Sequence, residues 1–484
     1  MLPPAARYDK AVPPPYLVEI GRFIRDTRFE DLPPAVVDRC KRLIADCFAI
    51  VTAGNQSEEL RTLAASYLKD ARPGTSWVIG TPHRAAARDA AFLNGISSTW
   101  HDFDEGSTVA YSHPGSQAIP AAVAIAQELG VSGRDLLLAV VMGYEVSARV
   151  GRAAKMRVSV HPHGTCGVIG SAVAAAHMKG LVEARMRHVI NVAATMAMAT
   201  NRQAMLDEAT VRNVYSGHSA LAGLNAVQLV EAGITGQRDG IGFTYGNVIA
   251  DGFDPQRMIE GLGRDWLITQ GYFKLHSSGR YSHAAIDALQ AALATLPQGR
   301  LDVASIERIE VRAFQMAALL SGRNITTSFG AKFSIPFALS TILVHGRSGI
   351  DCFDKQAVQN PVVQALVAKV DVSEEPAYTQ AYPAKQQCDV VIHLKGGDTV
   401  RGRCEIMKGE PSNPHRPEDV EKKFFDLTVP VWGAQRAKAL YAALLGLEEV
   451  ADLRAFGAGF ALYTAPAISA RPSSIRNRPS GQFA

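Results

Sequence analysis

From about residue 16 to residue 270, apolar side chains recur every three or four positions. That spacing places them on one face of an α-helix, and each such face needs another apolar surface to pack against. The stretches include PAVVDRCKRLIADCFAIVTAG, SEELRTLAASYLKD, SQAIPAAVAIAQELG and GRDLLLAVVMGYEVSARVGRAA. Helices that follow one another in this way cover their apolar faces by packing together. The pattern therefore predicts a large, all-helical domain.

The pattern changes near residue 300. ASIERIEVRAF alternates apolar and polar residues as a strand does, and QCDVVIHLKGGDTVRGRCEIM is typical of a hairpin that turns at Gly396 and Gly397. Helical stretches such as AKFSIPFALSTILVHG lie between them. We therefore predict a mainly α protein in which a smaller α/β domain occupies residues 272–408.

Helical periodicity returns in PEDVEKKFFDL and GAQRAKALYAALLGL. Residues 409–470 are therefore predicted to rejoin residues 16–271 in the large domain. The two ends of the chain lack a periodic apolar pattern, which predicts a flexible arm at residues 1–15 and a flexible tail at residues 471–484.

The net charge of +4 on 484 residues is too small for the basic stripe of a nucleic-acid binder, although it leaves room for a local cationic pocket. The six cysteines are scattered, without the CxxC spacing of zinc sites or redox dithiols, so we expect reduced thiols in the cytoplasm. Apolar runs stay shorter than the ~20 residues that span a membrane. We expect a cytoplasmic protein that binds neither nucleic acid nor membrane.

Three polar clusters are candidates for chemistry, and the first is His101-Asp102-Phe103-Asp104-Glu105, followed by His113 at the start of a helix. A metal site would need a second histidine or cysteine at ligand spacing, and none lies near in the sequence. The helix N-terminus behind His113 offers unpaired N–H groups, which suit a substrate carboxylate. The alternative is that Ser116 caps the helix and His113 lies on the surface.

The second cluster is His161-Pro162-His163, directly before the glycine-rich stretch GTCGVIGSAVAAAHMKGL. Pro162 indicates a turn, which disfavours a metal-binding pair on a strand. Such histidines can become cationic and hold a carboxylate or transfer a proton. The glycines by themselves are typical of tight helix packing, at some cost in helix propensity.

The third cluster, FKLHSSGRYSH, contains Lys274, His276 and Arg280. A solvated basic loop is the ordinary explanation for such a run. However, this loop lies at the predicted domain boundary, where clefts form, and a lysine enclosed there beside other cations can serve as a base. Tyr144, inside a very apolar helix, is a further proton donor if it faces the cleft, whereas its neighbour Glu145 is expected to be a buried, bonded carboxyl.

Several common catalytic motifs are absent from the sequence. It has no GxGxxG after a strand, no GxxxxGK[ST], no GxSxG and no HExxH. Nucleotide-binding, serine-hydrolase and zinc-protease functions therefore lack their usual sequence support.

Taken together, the motifs resemble the MmgE/PrpD family, which includes 2-methylcitrate dehydratase, cis-aconitate decarboxylase and iminodisuccinate epimerase. The matching stretches run in family order from about residue 16 to residue 450: DLPPAVVDRCKRLIADCFAIVTAG, DFDE, HPGSQAIPAAVAIAQELG, HPHGTCGVIGSAVAAAHMKGL, FKLHSSGRYSHAAIDAL, AKFSIPFALSTILVHG and KGEPSNPHRPEDVEKKFFDLT.

The resemblance implies a large helical domain built from both chain ends, a smaller α/β lid domain, a homodimer, and an active site between the domains that needs neither metal nor organic cofactor. By position, it implies that Asp102, His113, His161 and Lys274 line that cleft. Tyr144, in the GYE motif, matches with Lys274 the proton-transferring pair proposed for the epimerase.

Two departures from the family pattern bear on the reaction. The segment EGSTVAYS is one residue longer than usual, so that Ser107 or Thr108 supplies the expected hydroxyl near Asp102. Arg212 replaces the usual lysine of a K-x-x-H-x-G motif, and Tyr215 replaces its histidine. Arginine keeps a carboxylate clamp but does not act as a base.

The leading hypothesis is a lyase that moves a proton next to a carboxylate and eliminates water or carbon dioxide from a small di- or tricarboxylate. In it, Lys274, Tyr144 and His113 transfer protons together with His161 and Asp102, because such reactions need a positioned base and cations that absorb developing charge. The predicted substrate-binding residues are His163, Arg212, His276, Arg280, Ser107 and Thr108. An epimerase of an imino- or amino-dicarboxylate and a non-catalytic paralogue are the alternatives.

Overall fold

The computed structural model describes residues 12–181 and 183–457. The tail predicted for residues 471–484 and most of the predicted N-terminal arm lie outside the described residues. No helix within those two ranges is both long and apolar enough to cross a membrane.

Helices dominate the first half of the chain, as the periodicity predicts. They are α1 (Pro15–Asp26), α2 (Pro34–Gly54), α3 (Glu58–Leu68), α4 (Ala87–Trp100), α5 (Pro114–Leu129), α6 (Gly133–Ala153), α7 (Cys166–Met178), α8 (Glu183–Thr195), α9 (Gln203–Leu206), α10 (Val211–Glu231), α11 (Gly240–Phe243) and α12 (Gln256–Ile259). The short strands β1 (Ser76–Trp77) with β2 (Arg84–Ala85), and β3 (Ala154–Met156) with β4 (Ala250–Phe253), form two antiparallel pairs.

Local sequence signals set the ends of the central helices. Helix α5 has proline at its first position and ends at Gly130, whose φ of 71° lies in the left-handed region that favours glycine. Helix α6 is capped reciprocally by the side chains of Ser132 and Asp135. A Cβ atom on Gly143 would collide with the carbonyl of Gly170, so glycine lets α6 and α7 approach closely.

The second region contains helices and one mixed sheet. Its elements are α13 (His283–Ala294), β5 (Ile306–Ala313), α14 (Gln315–Ala318), α15 (Ser328–Ala331), α16 (Ile335–His345), α17 (Lys355–Gln359), α18 (Pro361–Val367), β6 (Val370–Glu374), α19 (Pro376–Ala381), β7 (Cys388–Leu394) and β8 (Thr399–Cys404). The strand order is β6-β5-β7-β8, with β5 and β6 parallel and the other pairs antiparallel. The predicted strand and hairpin are confirmed, and Gly397 in the turn has a φ of 89°.

The last helices, α20 (Pro417–Trp432) and α21 (Ala434–Leu445), pack against α2 near the start of the chain. Buried apolar side chains form two separate cores. The first joins residues 16–273 to residues 420–456, and the second contains residues 284–407 together with Met205. The mainly α architecture with a smaller α/β part is thus confirmed, and on these cores we propose the two-domain division with boundaries near 272 and 409.

One helix is shorter than the sequence pattern suggests. Apolar residues recur at helical spacing through the stretch RDAAFLNGISSTWHDFD, but α4 ends at Trp100. Asp102 then takes a positive φ of 49°, which is uncommon for a residue other than glycine, and the chain bends there. The segment 101–105, which we call the acidic loop, therefore leaves the helix and carries its carboxylates toward the domain boundary.

Candidate active site

A cleft of about 320 Å³ lies between the two cores. Its lining takes residues from the segment after α4, from the turn before α7, from α10 and from the loop before α13. The sequence-predicted site residues that line it are Asp102, Ser107, Thr108, His113, His161, Arg212, Lys274 and Arg280. Tyr144, His163 and His276 lie outside the lining.

Lys274 occupies the inner end of the cleft and is 1% exposed. Its Nζ donates to Asp102 Oδ2 at 3.1 Å, to the Asp102 carbonyl at 3.2 Å and to Asp104 Oδ1 at 3.0 Å. The sequence argument for a basic lysine assumed neighbouring cations, and the structure corrects it: the nearest charged groups are two carboxylates. These three acceptors match the three N–H bonds of a lysine ammonium, so a ligand that binds Lys274 shares or replaces one of them.

Asp102 also binds Arg212, whose Nη2 lies 2.6 Å from Asp102 Oδ1. Burial by itself would raise the pKa of Asp102, but Lys274 and Arg212 more than offset it and hold the pKa below its ordinary value. Burial opposes ionisation of Asp104 in the same way, yet Lys274 and His113 keep its pKa well below the ordinary value. The inner end of the cleft is therefore a compact network of fixed charges.

His113 belongs to this network and lines the cleft. Its Nδ1–H donates to the Glu105 carbonyl at 2.6 Å and lies 3.0 Å from Asp104 Oδ2. In the neutral ring, a proton on Nδ1 leaves the lone pair on Nε2. A histidine that lines a cleft and has a carboxylate at Nδ1 is the arrangement in which the ring exchanges protons with a ligand through Nε2.

The histidines before α7 are neutral, which corrects the expectation of cationic carboxylate ligands. Burial and Arg212 lower the pKa of His161 well below its ordinary value, and the same two causes lower the pKa of His163 to about 3. Arg212 Nε donates to Nε2 of His161 at 3.2 Å. His163 is fully buried behind His161, and its Nε2 lies 3.5 Å from Asp104 Oδ2.

The N-terminus of α5 is already occupied by a carboxyl group of the protein. Glu105 Oε1 accepts from the backbone N–H of Gly115 at 2.5 Å and of Ser116 at 3.2 Å. The prediction that these N–H groups bind a substrate carboxylate is therefore wrong, and the same is true of the Ser116 cap, since the Ser116 hydroxyl donates to the His113 carbonyl. Burial raises the pKa of Glu105 to about 7.

Tyr144 and His276 stand behind the cleft wall. Tyr144 is fully buried, and its hydroxyl donates to Glu105 Oε2 at 3.4 Å. His276 Nδ1 lies 2.5 Å from the Ser348 hydroxyl, and burial lowers its pKa to about 3. Any part that these two residues have in proton transfer or substrate binding is therefore indirect, and their predicted roles stay predictions.

Arg280 is held by an acidic partner that the sequence analysis did not single out. Its Nη2 lies 2.7 Å from Glu410 Oε1, which also accepts from the Thr108 hydroxyl at 2.9 Å. The Arg280 guanidinium lies 4.0 Å above the ring of Tyr272. Glu410 thus ties Arg280 of the lid side to Thr108 of the helical side, across the cleft boundary.

Among the described residues, one group of potential metal ligands comes together: Asp104, His113 and His163, with ligand atoms within 4.8 Å of one another. A ligand must present a lone pair, but His113 Nδ1 donates its proton to a carbonyl. Lys274 also places a positive charge 3.0 Å from Asp104. These contacts favour the hydrogen-bonded network over a bound cation.

Asp104 and Glu105 were named in the first candidate cluster without a role of their own, and Glu410 was not named as a candidate. The first two stood within the quoted DFDE motif, and Glu410 within KGEPSNP. The available signal was the density of acids in an otherwise apolar region, because buried carboxylates need partners. Which partner each one has depends on the tertiary structure.

Comparisons with known proteins agree with this architecture. Residues 18–255 match the MmgE/PrpD N-terminal domain, and residues 276–448 match the MmgE/PrpD C-terminal domain. Human cis-aconitate decarboxylase is 27% identical over 442 residues, covering 87% of this chain and 89% of the relative. The mouse enzyme of the same name is 26% identical, with 89% and 90% covered, and a cis-aconitate decarboxylase-like protein of Aspergillus oryzae is 26% identical, with 90% and 95% covered. The chain belongs to the MmgE/PrpD family.

Proposed function

We propose that this protein is a lyase that acts on a small tricarboxylate by moving a proton at a carbon next to a carboxylate. The observation that carries the proposal is the pairing of two groups in the cleft lining: the Lys274 ammonium and the His113 ring, which both contact the carboxylate of Asp104. The names of the relatives support a tricarboxylate as substrate. The homodimer and the cytoplasmic location expected from the sequence stay predictions.

Within this proposal Lys274 and Arg212 receive substrate carboxylates. Both cations now contact Asp102, so an incoming carboxylate shares or replaces that partner. Charge-assisted hydrogen bonds of this kind are short, and they strengthen as negative charge develops in the transition state. Arg212 thus keeps the clamp that the family's usual lysine would provide, while proton exchange falls to other groups.

His113 exchanges the proton. In a decarboxylation the bond between carbon and a carboxylate breaks, carbon dioxide leaves, and the electron pair stays on carbon. The proton that completes the product comes from the Lys274 ammonium, or from Nε2 of His113 after this atom has taken up a proton from solvent. In a dehydration His113 Nε2 removes a proton from carbon, the bond between carbon and the hydroxyl breaks, and the hydroxyl leaves as water with a proton from Lys274. The relatives' names favour decarboxylation as the first reaction to test.

The epimerase alternative requires a second proton-transferring group on the opposite face of the substrate. Tyr144 was the candidate, and its hydroxyl points to Glu105 inside the protein. Because this contact does not support a Lys274–Tyr144 pair on opposite faces of a ligand, we propose the lyase, and the epimerase stays an alternative prediction.

The experiment is a turnover assay followed by proton NMR with citrate, 2-methylcitrate, cis-aconitate and iminodisuccinate. We expect one of the three tricarboxylates to lose water or carbon dioxide, and His113→Gln to reduce the rate by about 10²–10⁴-fold, the usual contribution of a general acid or base. His218→Gln is the matched control, because His218 lies in α10 outside the cleft lining. Turnover of iminodisuccinate without loss of mass, or a His113→Gln variant as fast as the control, would contradict the proposal.

A further inference from the structure

The cleft has a second half that the proposed chemistry does not use. Besides charged residues, tyrosines and other polar groups, its lining contains six apolar side chains that come from both cores. We call these side chains the outer wall: Met156, Met205, Met316, Leu320, Phe333 and Met407. Methionine side chains are long and adaptable, and they are typical of surfaces that accommodate apolar ligands of varied shape.

The buried residues of the outer wall are held in place by the packing of the second core. Leu320 and Met407 are buried and belong to the second core, and Met205 packs into the same core although its helix α9 belongs to the other half of the chain. Met156 and Met316 are partly exposed and face the cleft. Because core packing holds its buried members, the wall has a defined shape before any ligand enters.

Phe333 marks where the charged end meets the outer wall. The Arg212 guanidinium pairs with the Asp102 carboxylate and also lies 5.4 Å from the centre of the apolar Phe333 ring. The backbone of Leu320 lies near the Phe333 segment, since the Leu320 carbonyl accepts from the backbone N–H of Ile335 at 2.8 Å. A ligand with a carboxylate on Arg212 therefore has its adjoining atoms against apolar groups.

Two arginines also line this half of the cleft, but the protein engages both. Arg202 Nε donates to the carbonyl of Val158 at 2.7 Å, and a second nitrogen donates to the carbonyl of Val160. Arg157 pairs with Asp251 at 2.8 Å and donates to a backbone carbonyl. These contacts organise the rim of the cleft, so the outer half is not a second carboxylate clamp.

The size of the cleft also favours a ligand with an apolar part. A volume of about 320 Å³ reaches the range of roughly 300–1,000 Å³ found for pockets that enclose drug-sized ligands. A small tricarboxylate bound at Lys274 and Arg212 leaves the apolar side chains of the outer wall in contact with water. Covering these side chains with apolar atoms is favourable, since burial of apolar surface drives binding.

We propose that the preferred substrate is a polycarboxylate with an apolar substituent of three or more carbons, whose carboxylates lie at Lys274 and Arg212 and whose substituent lies against the outer wall. The inference rests on the proposed function and narrows its substrate class. It makes Met205, Met316 and Leu320 specificity-determining residues, which select the substituent without taking part in proton transfer.

The test is calorimetric binding of a series of citrates that carry hydrogen, methyl, propyl or hexyl at the same carbon. We expect affinity to rise by about threefold to fourfold for each methylene that reaches the wall, the effect of burying one methylene group. Equal affinity across the series, or the tightest binding by unsubstituted citrate, would overturn the inference. Turnover is followed separately by NMR. Equal affinities with active turnover would overturn the inference about the outer wall and leave the lyase proposal standing. Graded affinities without turnover would support the outer wall as a binding surface and contradict the lyase proposal.

Variants of the outer wall sharpen the test. Met316→Gln keeps the length of a partly exposed side chain and makes it polar, so we expect the hexyl-to-methyl affinity ratio to fall by about threefold to tenfold. Met205→Gln tests the buried part of the wall, with its fold checked by thermal unfolding. Leu319→Gln is the matched control, since Leu319 lies in the same turn but is 48% exposed and outside the lining. An unchanged ratio in Met316→Gln, or an equal fall in the control, would contradict the assignment.

Discussion

Lys274 and Lys423 hold the acidic loop from two sides. Both are buried, at 1% and 4% exposure, and both bind a carboxylate and a carbonyl. Lys274 donates to Asp102 and Asp104 from the cleft side. Lys423, in α20, donates to the Phe103 carbonyl at 2.7 Å and pairs with Asp46 of α2 at 2.6 Å.

The difference between the two lysines is access. Lys274 lines the cleft, whereas Lys423 lies in the first core, with its Nζ 4.3 Å from the centre of the Phe103 ring. Burial lowers the pKa of Lys423, and Asp46 works against that shift without cancelling it. The two buried lysines have similar partners but are expected to have different roles. Lys274 takes part in substrate chemistry, and Lys423 anchors the acidic loop. Burial and pairing alone do not identify a catalytic group.

The largest effect is expected from Lys274→Met. Loss of the ammonium should reduce turnover of the proposed substrate by about 10²–10⁴-fold, because it removes both a carboxylate contact and a proton donor. Steady-state kinetics measures this, and circular dichroism checks that the variant folds. A loss below tenfold in a folded variant would place the chemistry elsewhere.

Lys423→Met should act on stability. It leaves Asp46 as a buried carboxylate without its cation, which typically costs about 3–5 kcal/mol of unfolding free energy. The double variant with Asp46→Leu should recover most of that loss, since replacing both members of a buried pair by apolar residues is often neutral. Denaturant unfolding gives both values. Activity per folded molecule should stay near that of the wild type, and a large loss of turnover without destabilisation would contradict the comparison.

Glu105 ends the acidic loop on the side away from the cleft, and it should make stability depend on pH. Its pKa is raised from 4.5 to about 7 in the folded protein, so the folded state favours the protonated carboxyl. That contribution is complete below pH 4.5 and is lost as pH rises through 7. The unfolding free energy of the wild type relative to Glu105→Gln should therefore fall by on the order of 3 kcal/mol over this interval. Parallel pH curves for the two proteins would rule this out.

The smallest effect is expected at Thr108. Its hydroxyl donates to Glu410, which keeps its ion pair with Arg280 when the hydroxyl is removed. Thr108→Val should thus cost about 0.5–1.5 kcal/mol of unfolding free energy, the net value of one hydrogen bond, with kcat nearly unchanged. A fall in kcat above tenfold would instead show that this hydroxyl touches the substrate, as the sequence comparison with the family implied.

Most helices and strands of the fold could be predicted from the sequence, because helical periodicity and strand alternation are local properties. The ends of α5 at Pro114 and Gly130, and the hairpin turn at Gly397, follow from the residues themselves. Motif order also brought Lys274, Asp102 and Arg212 to one predicted cleft.

The partners of the charged residues could not be predicted in this way. That Glu105 fills the N-terminus of α5, that Glu410 pairs with Arg280, and that Lys274 faces carboxylates all depend on contacts between residues distant in sequence. Tyr144 shows the same limit. Its position in an apolar helix could be read from the sequence, but the direction of its hydroxyl could not.

Hydrogen exchange at carbon tests the central claim most directly. The turned-over tricarboxylate is incubated in deuterium oxide with wild type, Lys274→Met and Lys423→Met, and deuterium at the carbon next to a carboxylate is followed by NMR. We expect incorporation with wild type and with Lys423→Met, and at least a hundredfold slower incorporation with Lys274→Met, in line with the roughly 10²–10⁴-fold contribution of acid–base groups. Loss of carbon dioxide with wild type that leaves no deuterium at that carbon, or undiminished incorporation with Lys274→Met, would contradict it.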